Sequence, residues 1–326
     1  MDVIRWGILG TGNISNSFAQ GLQFVDDAEL VAVGSRSQAS ADQFAQKHTI
    51  PQAHSTYDAL ANNPDVDVIY IGTPHAFHAD NMTLCLNAGK HVLCEKPFTL
   101  NAVEAQNCIA LAREKNLFLM EAIWTRFLPA IIEIKSIINS GKIGNINLIK
   151  ADFSFYLPFQ AEHRLFNLDL GGGALLDVGI YPITLTTLLL GMPDKVHSHA
   201  LIGASGVDEQ CSMLFEYDNA SALLTGGIAG DLNNIAVIKG SKGQITIDAP
   251  FFAPTTFTVQ PYGEEPQKMS FPMRGNGYNY EAQAVNEAIR AGQTEHPNMP
   301  LDETHHTMAL MDDIRRTWGL KYPQED

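Results

Sequence analysis

The first third of the chain alternates short apolar segments with amphipathic ones, and this alternation constrains the fold more than any other feature. Between Ile4 and Glu121, apolar runs of strand length are followed by stretches with helical periodicity. Strands that alternate with helices form a parallel sheet covered on both faces. Six strands are predicted, at Ile4 to Leu9, Glu29 to Gly34, Pro51 to His54, Val68 to Ile71, His91 to Cys94 and Phe118 to Glu121. The sequence therefore predicts an α/β fold with a doubly wound parallel sheet.

After Trp124 the pattern changes, which indicates a second domain. A chain of 326 residues exceeds what one hydrophobic core usually fills. Strand-like runs with turn residues between them predict a largely antiparallel sheet. The predicted elements are a helix near Pro129 to Asn139, a strand at Ile146 to Phe155, an apolar segment from Gly171 to Leu190, strands between Val196 and Phe271, and helices around Tyr280 to Arg290 and Glu303 to Trp318. We expect a nucleotide-binding domain at 1–122 and a substrate-binding, dimerising α+β domain at 123–326.

Charge and cysteine content exclude several classes of function. The chain has 21 Lys and Arg against 36 Asp and Glu, a net charge of -15, with no long block of like charge, which argues against nucleic acid or an anionic membrane as a partner. The 4 cysteines form no Cys-x-x-Cys pair, so we expect buried thiols in a reducing compartment. A basic leader is absent, and no apolar run reaches about 18 residues. These features predict a soluble cytoplasmic protein.

A glycine-containing turn follows the first predicted strand. Gly10 and Gly12 precede a helix that begins near Asn13 and Ile14, and Ser15 stands where a third glycine is usual. Glycines at such a turn let backbone N–H groups approach a pyrophosphate at the positive end of a helix. A tight structural turn is the alternative interpretation, but the strand–helix–strand context favours a dinucleotide site.

The end of the second predicted strand bears on the choice of cofactor. An acidic residue there accepts hydrogen bonds from the adenosine ribose of NAD, but this chain has Ser35 and Arg36 instead. A hydroxyl and a guanidinium suit a 2′-phosphate. We therefore predict NADP(H) as the cofactor, with a solvent-facing arginine as the alternative.

Two further strand ends carry polar residues toward the same edge of the sheet. Thr73, Pro74 and His75 follow the fourth strand, with His78 three residues on. Two histidines at a helix start lack a third ligand within sequence reach, so we predict no metal site and expect a capping or cofactor-edge role.

The fifth strand leads into Glu95 and Lys96. Ligands of open parallel sheets bind beyond the carboxyl ends of the strands, so Lys96 is a candidate for chemistry, and we expect both residues to border the cofactor. A solvated surface lysine is the alternative interpretation.

Taken together, these motifs resemble the Gfo/Idh/MocA oxidoreductase family. The resemblance rests on the glycine turn, the Gly72-Thr-Pro-His turn, Glu95-Lys-Pro, and Gly171-Gly-Gly with Asp177, Gly179 and Tyr181, and it covers essentially the whole chain. The segments 120–129 and 175–182 look most like the branch of dimeric dihydrodiol dehydrogenases and NADP-dependent D-xylose dehydrogenases. Many family members have histidine where this chain has Tyr181, which indicates a subgroup.

The resemblance implies a Rossmann domain joined to an open-faced, mostly antiparallel sheet, NADP(H) use, oxidation of a sugar or cyclic vicinal diol, and a homodimer formed through that sheet. It also implies Lys96 as the family's lysine, Tyr181 as the acid/base and Asp177 as the supporting carboxylate.

The chemistry agrees with this assignment. Oxidation of a secondary alcohol needs a group that takes the hydroxyl proton. The pKa of an isolated tyrosine phenol is about 10, and an ammonium beside Tyr181 lowers it and so favours the phenolate. If the segment is helical, Asp177 shares a face with Tyr181 and either orients Lys96 or binds a substrate hydroxyl, although Pro182 predicts a kink.

Residues near the predicted domain boundary complete the expected site. Trp124 either walls the nicotinamide or belongs to the core, and Arg126 is predicted to pair with phosphate or substrate. Phe155, Tyr156 and Arg164 lie on a loop that either covers the substrate or packs on the sheet. The reverse reaction, reduction of a ketosugar or dicarbonyl, uses the same groups. A sensor that binds NADP(H) without turnover is the alternative function.

Overall fold

The computed structural model describes residues 3–325. The described chain divides into two compact units, one formed by the residues up to 124 together with 274–308, the other by residues 125–273 together with those from 309 onward. The predicted division at residues 122 and 123 runs along a continuous chain, whereas segment 274–308 returns to the first unit. Trp6 shows the reason, because its buried indole Nε1 donates to Asn286 Oδ1 at 3.0 Å.

The first unit contains a six-stranded parallel sheet with the strand order β3-β2-β1-β4-β5-β6. The strands are β1 (Ile4–Leu9), β2 (Ala28–Gly34), β3 (Gln52–His54), β4 (Val68–Ile71), β5 (His91–Glu95) and β6 (Leu119–Ala122). The order reverses direction between β1 and β4, which is the switch point where such sheets bind ligands. All six predicted strands and the predicted α/β class are confirmed.

Helices cover the sheet because parallel neighbours need crossover connections. They are α1 (Asn13–Leu22), α2 (Gln38–His48), α3 (Tyr57–Ala61), α4 (His78–Asn87), α5 (Ala102–Glu114) and, from the distal segment, α8 (Tyr278–Arg290). Every residue of β4 is buried, as expected for a strand covered on both faces.

The second unit contains an eight-stranded sheet with the order β14-β13-β12-β11-β7-β10-β9-β8. Its strands are β7 (Ile146–Ser154), β8 (Lys195–Ile202), β9 (Asp208–Tyr217), β10 (Ala220–Gly227), β11 (Ala236–Gly240), β12 (Gly243–Ile247), β13 (Thr256–Pro261) and β14 (Gln267–Ser270). Its neighbouring strands pair antiparallel, except that β7 and β10 are parallel. The predicted second sheet is confirmed.

Three helices accompany this sheet: α6 (Pro129–Asn139), α7 (Ile180–Leu190) and the last part of α9 (Leu301–Thr317). A π-helical turn, Leu175–Gly179, leads directly into α7. By length and composition, Leu168–Leu190 is apolar enough to cross a membrane, but 83% of its most apolar window is buried inside the protein. The segment therefore belongs to the core of this unit.

Candidate functional site

The glycine turn after β1 has the geometry that its sequence predicts. Gly10 has φ +101°, and a Cβ there would lie 3.1 Å from the carbonyl oxygen of Gly72, so both conformation and space require glycine. Gly12 is the N-cap of α1 and has no side chain to cover the helix end. The N–H groups that begin α1, at Asn13 and Ile14, are available to an anion.

Ser15 replaces the third glycine because Gly72 makes room for it. Ser15 is fully buried, and within residues 3–325 its Oγ has no hydrogen-bond partner. A Cβ on Gly72 would lie 2.4 Å from this Oγ. A third glycine on the helix normally leaves this space, and here Gly72, the residue after β4, leaves it instead. Helix α1 can therefore still pack closely on the sheet.

At the end of β2, Arg36 stands exposed between two aromatic side chains. Its guanidinium carbon lies 6.0 Å from the centroid of the Phe77 ring. Burial raises the pKa of Tyr57, and the charge and hydrogen bond of Arg36 oppose that rise. Ser35 lies beneath, 3.5 Å from the hydroxyl of Thr11. A guanidinium, two hydroxyls and the start of α2 thus meet at one edge of the unit.

His78 lies inside the protein, where it joins the loops after β4 and β5. Its Nδ1 is 2.8 Å from the carbonyl oxygen of Pro97, and its Nε2 is 2.9 Å from that of Thr73. Burial lowers the pKa of His78. Asn81 donates to the Thr73 hydroxyl at 3.0 Å, and the buried His75 ring lies 5.9 Å from the ring of His78. His78 therefore fixes the Thr73-Pro74 loop against the segment that carries Lys96.

Glu95 is buried and anchors the backbone of Lys96. The Tyr70 hydroxyl donates to Glu95 Oε1 at 2.5 Å, and the Lys96 backbone N–H donates to Glu95 Oε2 at 3.2 Å. A second buried carboxyl, Glu281, has a pKa well above its usual value because of burial and the nearby Glu95. The Lys96 side chain is half-buried. The buried carboxylate thus holds the backbone of Lys96 at the end of β5.

The two residues predicted beyond β6 fall into different units. Trp124 is buried in the first unit and stacks on Tyr278, with ring centroids 4.7 Å apart. Arg126 is buried in the second unit and donates to Thr184 O at 3.2 Å and to Thr187 Oγ1 at 3.3 Å. The structure therefore places Arg126 against α7, the helix that carries Tyr181.

Asp177 and Arg164, both predicted to contact substrate, form an ion pair. Arg164 Nη1 lies 2.9 Å from Asp177 Oδ1, and Nη2 lies 3.4 Å from Oδ2. The carboxylate is buried in the π-helical turn, whereas the arginine side chain is 47% exposed. A buried carboxylate paired with a half-exposed guanidinium suits recognition of hydroxyl groups.

Tyr181 belongs to a cluster of aromatic rings. Its ring centroid lies 5.4 Å from that of Phe153 and 5.3 Å from that of Phe252, and the two phenylalanines stack at 4.0 Å. Pro182 is accommodated early in α7, which continues to Leu190. Phe153 and Phe252 were not predicted. The alternation Phe153-x-Phe155 could have indicated the first, but no local signal marks the second, which lies in the loop after β12.

The predicted aromatic loop residues lie in different environments. Phe155 is half-buried and packs against a core cluster that includes Leu165 and Phe166. Tyr156 is exposed, and its backbone N–H donates to Asp231 Oδ1 at 3.0 Å. Within residues 3–325, no three His, Cys, Asp or Glu side chains are grouped so that they could hold a metal ion.

Two family models match the chain, one over most of the first unit and one over part of the second. Residues 4–123 match the model described as the Gfo/Idh/MocA oxidoreductase family, NAD-binding Rossmann fold. Residues 131–246 match the model of the Gfo/Idh/MocA C-terminal domain.

Curated relatives match over nearly the full length. The chain is 37% identical to the human trans-1,2-dihydrobenzene-1,2-diol dehydrogenase, with 99% of each protein covered. It is 36% identical to the enzyme of that name from Xenopus tropicalis, with 98% of this chain and 99% of that one covered.

A solved structure is similar over the same length. The 3-ketoreductase KijD10 from Actinomadura kijaniata, in complex with NADP and TDP-benzene, has a TM-score of 0.85 and 27% identity, and covers 97% of this chain and 98% of its own. The aldose-aldose oxidoreductase from Caulobacter crescentus shares the fold, with a TM-score of 0.88, 23% identity, and coverage of 96% of this chain and 97% of its own.

Proposed function

Because the chain belongs to the Gfo/Idh/MocA oxidoreductase family, we propose that it is an NADP(H)-dependent enzyme that oxidises or forms a secondary alcohol on a sugar or cyclic vicinal diol. The observation that carries this proposal is the buried carboxylate Glu95, which holds the backbone of Lys96 at the ligand-binding edge of a nucleotide-binding sheet. A protein that only bound a nucleotide would not need to keep both Lys96 and Tyr181, and this chain has both.

NADP(H) is the proposed cofactor, and the residues of the first unit fit it. Gly10 and Gly12 leave the start of α1 open for a pyrophosphate. Arg36 and Ser35 offer a cation and a hydroxyl for a 2′-phosphate, and Phe77 gives a face for an aromatic base beside the guanidinium. When bound, the nicotinamide supplies or accepts the hydride. The solved ketoreductase that binds NADP supports this choice.

Arg36→Ala tests the choice of cofactor. We expect the Kd for NADPH to rise by about tenfold or more while the Kd for NADH changes little, because only NADPH carries the 2′-phosphate. Arg316→Ala, at an exposed arginine of α9 in the second unit, is the matched control. Fluorescence titration measures both constants, and an unchanged NADPH to NADH ratio would contradict the assignment.

Tyr181 is the proposed acid/base. During oxidation its phenolate takes the proton from the substrate hydroxyl and becomes a phenol, and during reduction the phenol gives that proton back to the forming alcohol. Lys96 is the proposed electrostatic partner, because an ammonium favours a phenolate and also hydrogen-bonds a substrate oxygen. Asp177 and Arg164 are proposed to bind a second hydroxyl, since their ion pair presents both an acceptor and a donor. His78 in the first unit and Arg126 in the second unit are proposed to position these groups.

The aromatic cluster supports a ring-shaped substrate. Phe153 and Phe252 place apolar faces beside Tyr181, and the apolar face of a sugar or cyclic diol packs well on such rings. A panel of aldoses, cyclic vicinal diols and dicarbonyls, followed by nicotinamide absorbance in both directions, tests the substrate class and direction. Turnover of a ring compound is expected. Tight NADPH binding with no turnover of any compound would instead identify a sensor.

We also propose a cytoplasmic homodimer that uses the second sheet and binds neither nucleic acid nor membrane. The exposed apolar side chains Leu201 and Ile202 on β8 and Leu223 on β10 support a protein partner there. The four free, buried cysteines fit a reducing compartment. Light scattering measures the dimer, and Leu223→Glu is expected to produce monomer.

A further inference from the structure

The glycine-rich turn before Tyr181 is packed so closely that its backbone is tightly constrained. A Cβ on Gly172 would lie 2.7 to 2.9 Å from three carbonyl oxygens of the preceding loop. Gly173 has φ +122°, a conformation that side chains disfavour. The backbone of Gly173 also donates to Leu165 O at 2.9 Å. A turn of this kind sets the direction in which the following π-helical turn and α7 leave the loop.

Asp208, the first residue of β9, is the side chain that holds this turn. It is fully buried, and its Oδ2 accepts a hydrogen bond from the Leu175 N–H at 2.6 Å. A Cβ on Gly173 would lie 2.1 Å from Asp208 Oδ1, so the carboxylate occupies the space that this glycine leaves empty. Within residues 3–325, Oδ1 itself has no hydrogen-bond partner. Asp208, from strand β9, therefore caps the helical segment that contains Asp177 and Tyr181.

The last residues of the described chain hold the same turn from its other side. The buried Tyr322 hydroxyl donates to Gly172 O at 2.8 Å, and Gln324 donates to Asp169 O at 2.8 Å. Arg315 anchors this tail through its ion pair with Glu325 and stacks over the Tyr322 ring at 5.0 Å. The glycine turn thus lies between β9 and the tail.

We propose that Asp208 is a positioning residue for the reaction, because it fixes the first N–H groups of the segment that presents Asp177 and Tyr181. The proposal rests on the function assigned to Tyr181 above. A carboxylate at the start of a helical segment satisfies a backbone donor and favours the positive end of the helix. Losing it frees the segment, and a small displacement of an acid/base group lowers turnover strongly.

Charged and titratable groups face Asp208 from each element packed around it. Burial raises the pKa of Asp208 to about 7, while hydrogen bonds from Leu175 and Ala174 and the charge of Arg315 oppose the rise. Cys211 on β9 and Tyr322 on the tail also face it, and both have raised pKa values for which burial is the main cause. Arg315 is itself paired with Asp312 and Glu325.

Three variants test the proposal. Asp208→Ala removes the acceptor, and we expect kcat to fall roughly 10- to 100-fold with the Kd for NADPH unchanged. Asp208→Asn keeps an amide oxygen for the Leu175 N–H but cannot ionise, so it should match the wild type at pH 6 and fall below it at pH 8. Asp67→Asn is the control, because Asp67 accepts a backbone N–H from Arg5 at 2.9 Å in the first unit, far along the strands from their ligand-binding ends.

A measurement independent of activity separates this proposal from the assignment of Tyr181. Hydrogen exchange of peptides covering 172–181 should speed up in Asp208→Ala and not in Asp67→Asn. Unchanged exchange, or an Asp208→Ala kcat equal to wild type, would overturn the proposal. If Asp208→Ala does not fold, the Asp208→Asn comparison at pH 6 and pH 8 decides, and parallel pH profiles would overturn it. Faster exchange combined with a fully active Tyr181→Phe would instead refute the assignment of Tyr181.

Discussion

Adding a methyl group at Gly72, next to α1, tests how this chain replaces the third glycine of its nucleotide-binding turn. Gly72→Ala would place a Cβ 2.4 Å from Ser15 Oγ, 3.0 Å from Tyr70 Cε1 and 3.3 Å from Ile14 Cγ2. Carbon contacts are normally about 3.5–4 Å, so α1 must shift or Ser15 must rotate. Overpacking of this kind lowers the free energy of unfolding by about 1–3 kcal/mol. The reduced backbone freedom of the unfolded chain offsets about 0.4–1 kcal/mol of that loss.

The opposite effect is expected from Ser15→Ala. It removes a buried hydroxyl that has no partner within residues 3–325 and improves helix propensity, so we expect stabilisation of about 0.5–1.5 kcal/mol. In the double variant the nearest clash disappears. We therefore expect a favourable coupling energy of about 1 kcal/mol or more between the two positions.

Equilibrium urea denaturation, followed by circular dichroism and tryptophan fluorescence, measures all four proteins of the cycle. NADPH titration should show weaker binding for Gly72→Ala alone, with recovery in the double variant, because a displaced α1 misplaces its N–H groups. Gly230→Ala is the control, since a Cβ there meets no atom within 4 Å. Additive free energies in the cycle would refute the idea that Gly72 accommodates Ser15.

Two further outcomes are expected for the buried polar groups. Tyr70→Phe keeps the ring stacked on Phe18 at 3.8 Å but removes the donor to Glu95, so the free energy of unfolding should fall by about 1.5–3 kcal/mol in urea denaturation; an unchanged value would contradict the role of this bond. The pKa of Asp208 rises from 3.8 to about 7 on folding, so the bound proton stabilises the folded protein. This stabilisation is complete below about pH 4 and is lost as the pH rises to about 7, and it amounts to at most about 4 kcal/mol. The melting temperature should fall more steeply with pH across this range for the wild type than for Asp208→Asn, and identical slopes would contradict the raised pKa.

The strands of the first sheet could be predicted from sequence because each is a short apolar run bounded by turn residues. Predicted and observed bounds differ by at most one residue, as in β5, which ends at Glu95 instead of Cys94. The return of 274–308 to the first unit could not be predicted, since it depends on contacts such as Trp6 with Asn286, far apart in the chain. Local patterns do not encode such long-range packing.

Sequence motifs name candidate residues for the site, but they do not give the direction of the side chains. The pairing of Arg164 with Asp177 joins two predicted residues. The burial of His78 against two carbonyl oxygens could not be predicted, because spacing along the chain does not tell which way a ring points. Phe252 lies in a loop with no periodic pattern, so only the folded structure brings it to Tyr181.

The most direct test of the proposed reaction is single-turnover hydride transfer in Tyr181→Phe, measured by nicotinamide absorbance with a substrate found in the panel. Phenylalanine keeps the ring in its cluster with Phe153 and Phe252 and removes only the hydroxyl. We predict that the rate falls roughly 100- to 10,000-fold while the Kd for NADPH stays at the wild-type value. A wild-type rate in this variant would contradict the assignment of Tyr181 as the group that transfers the proton.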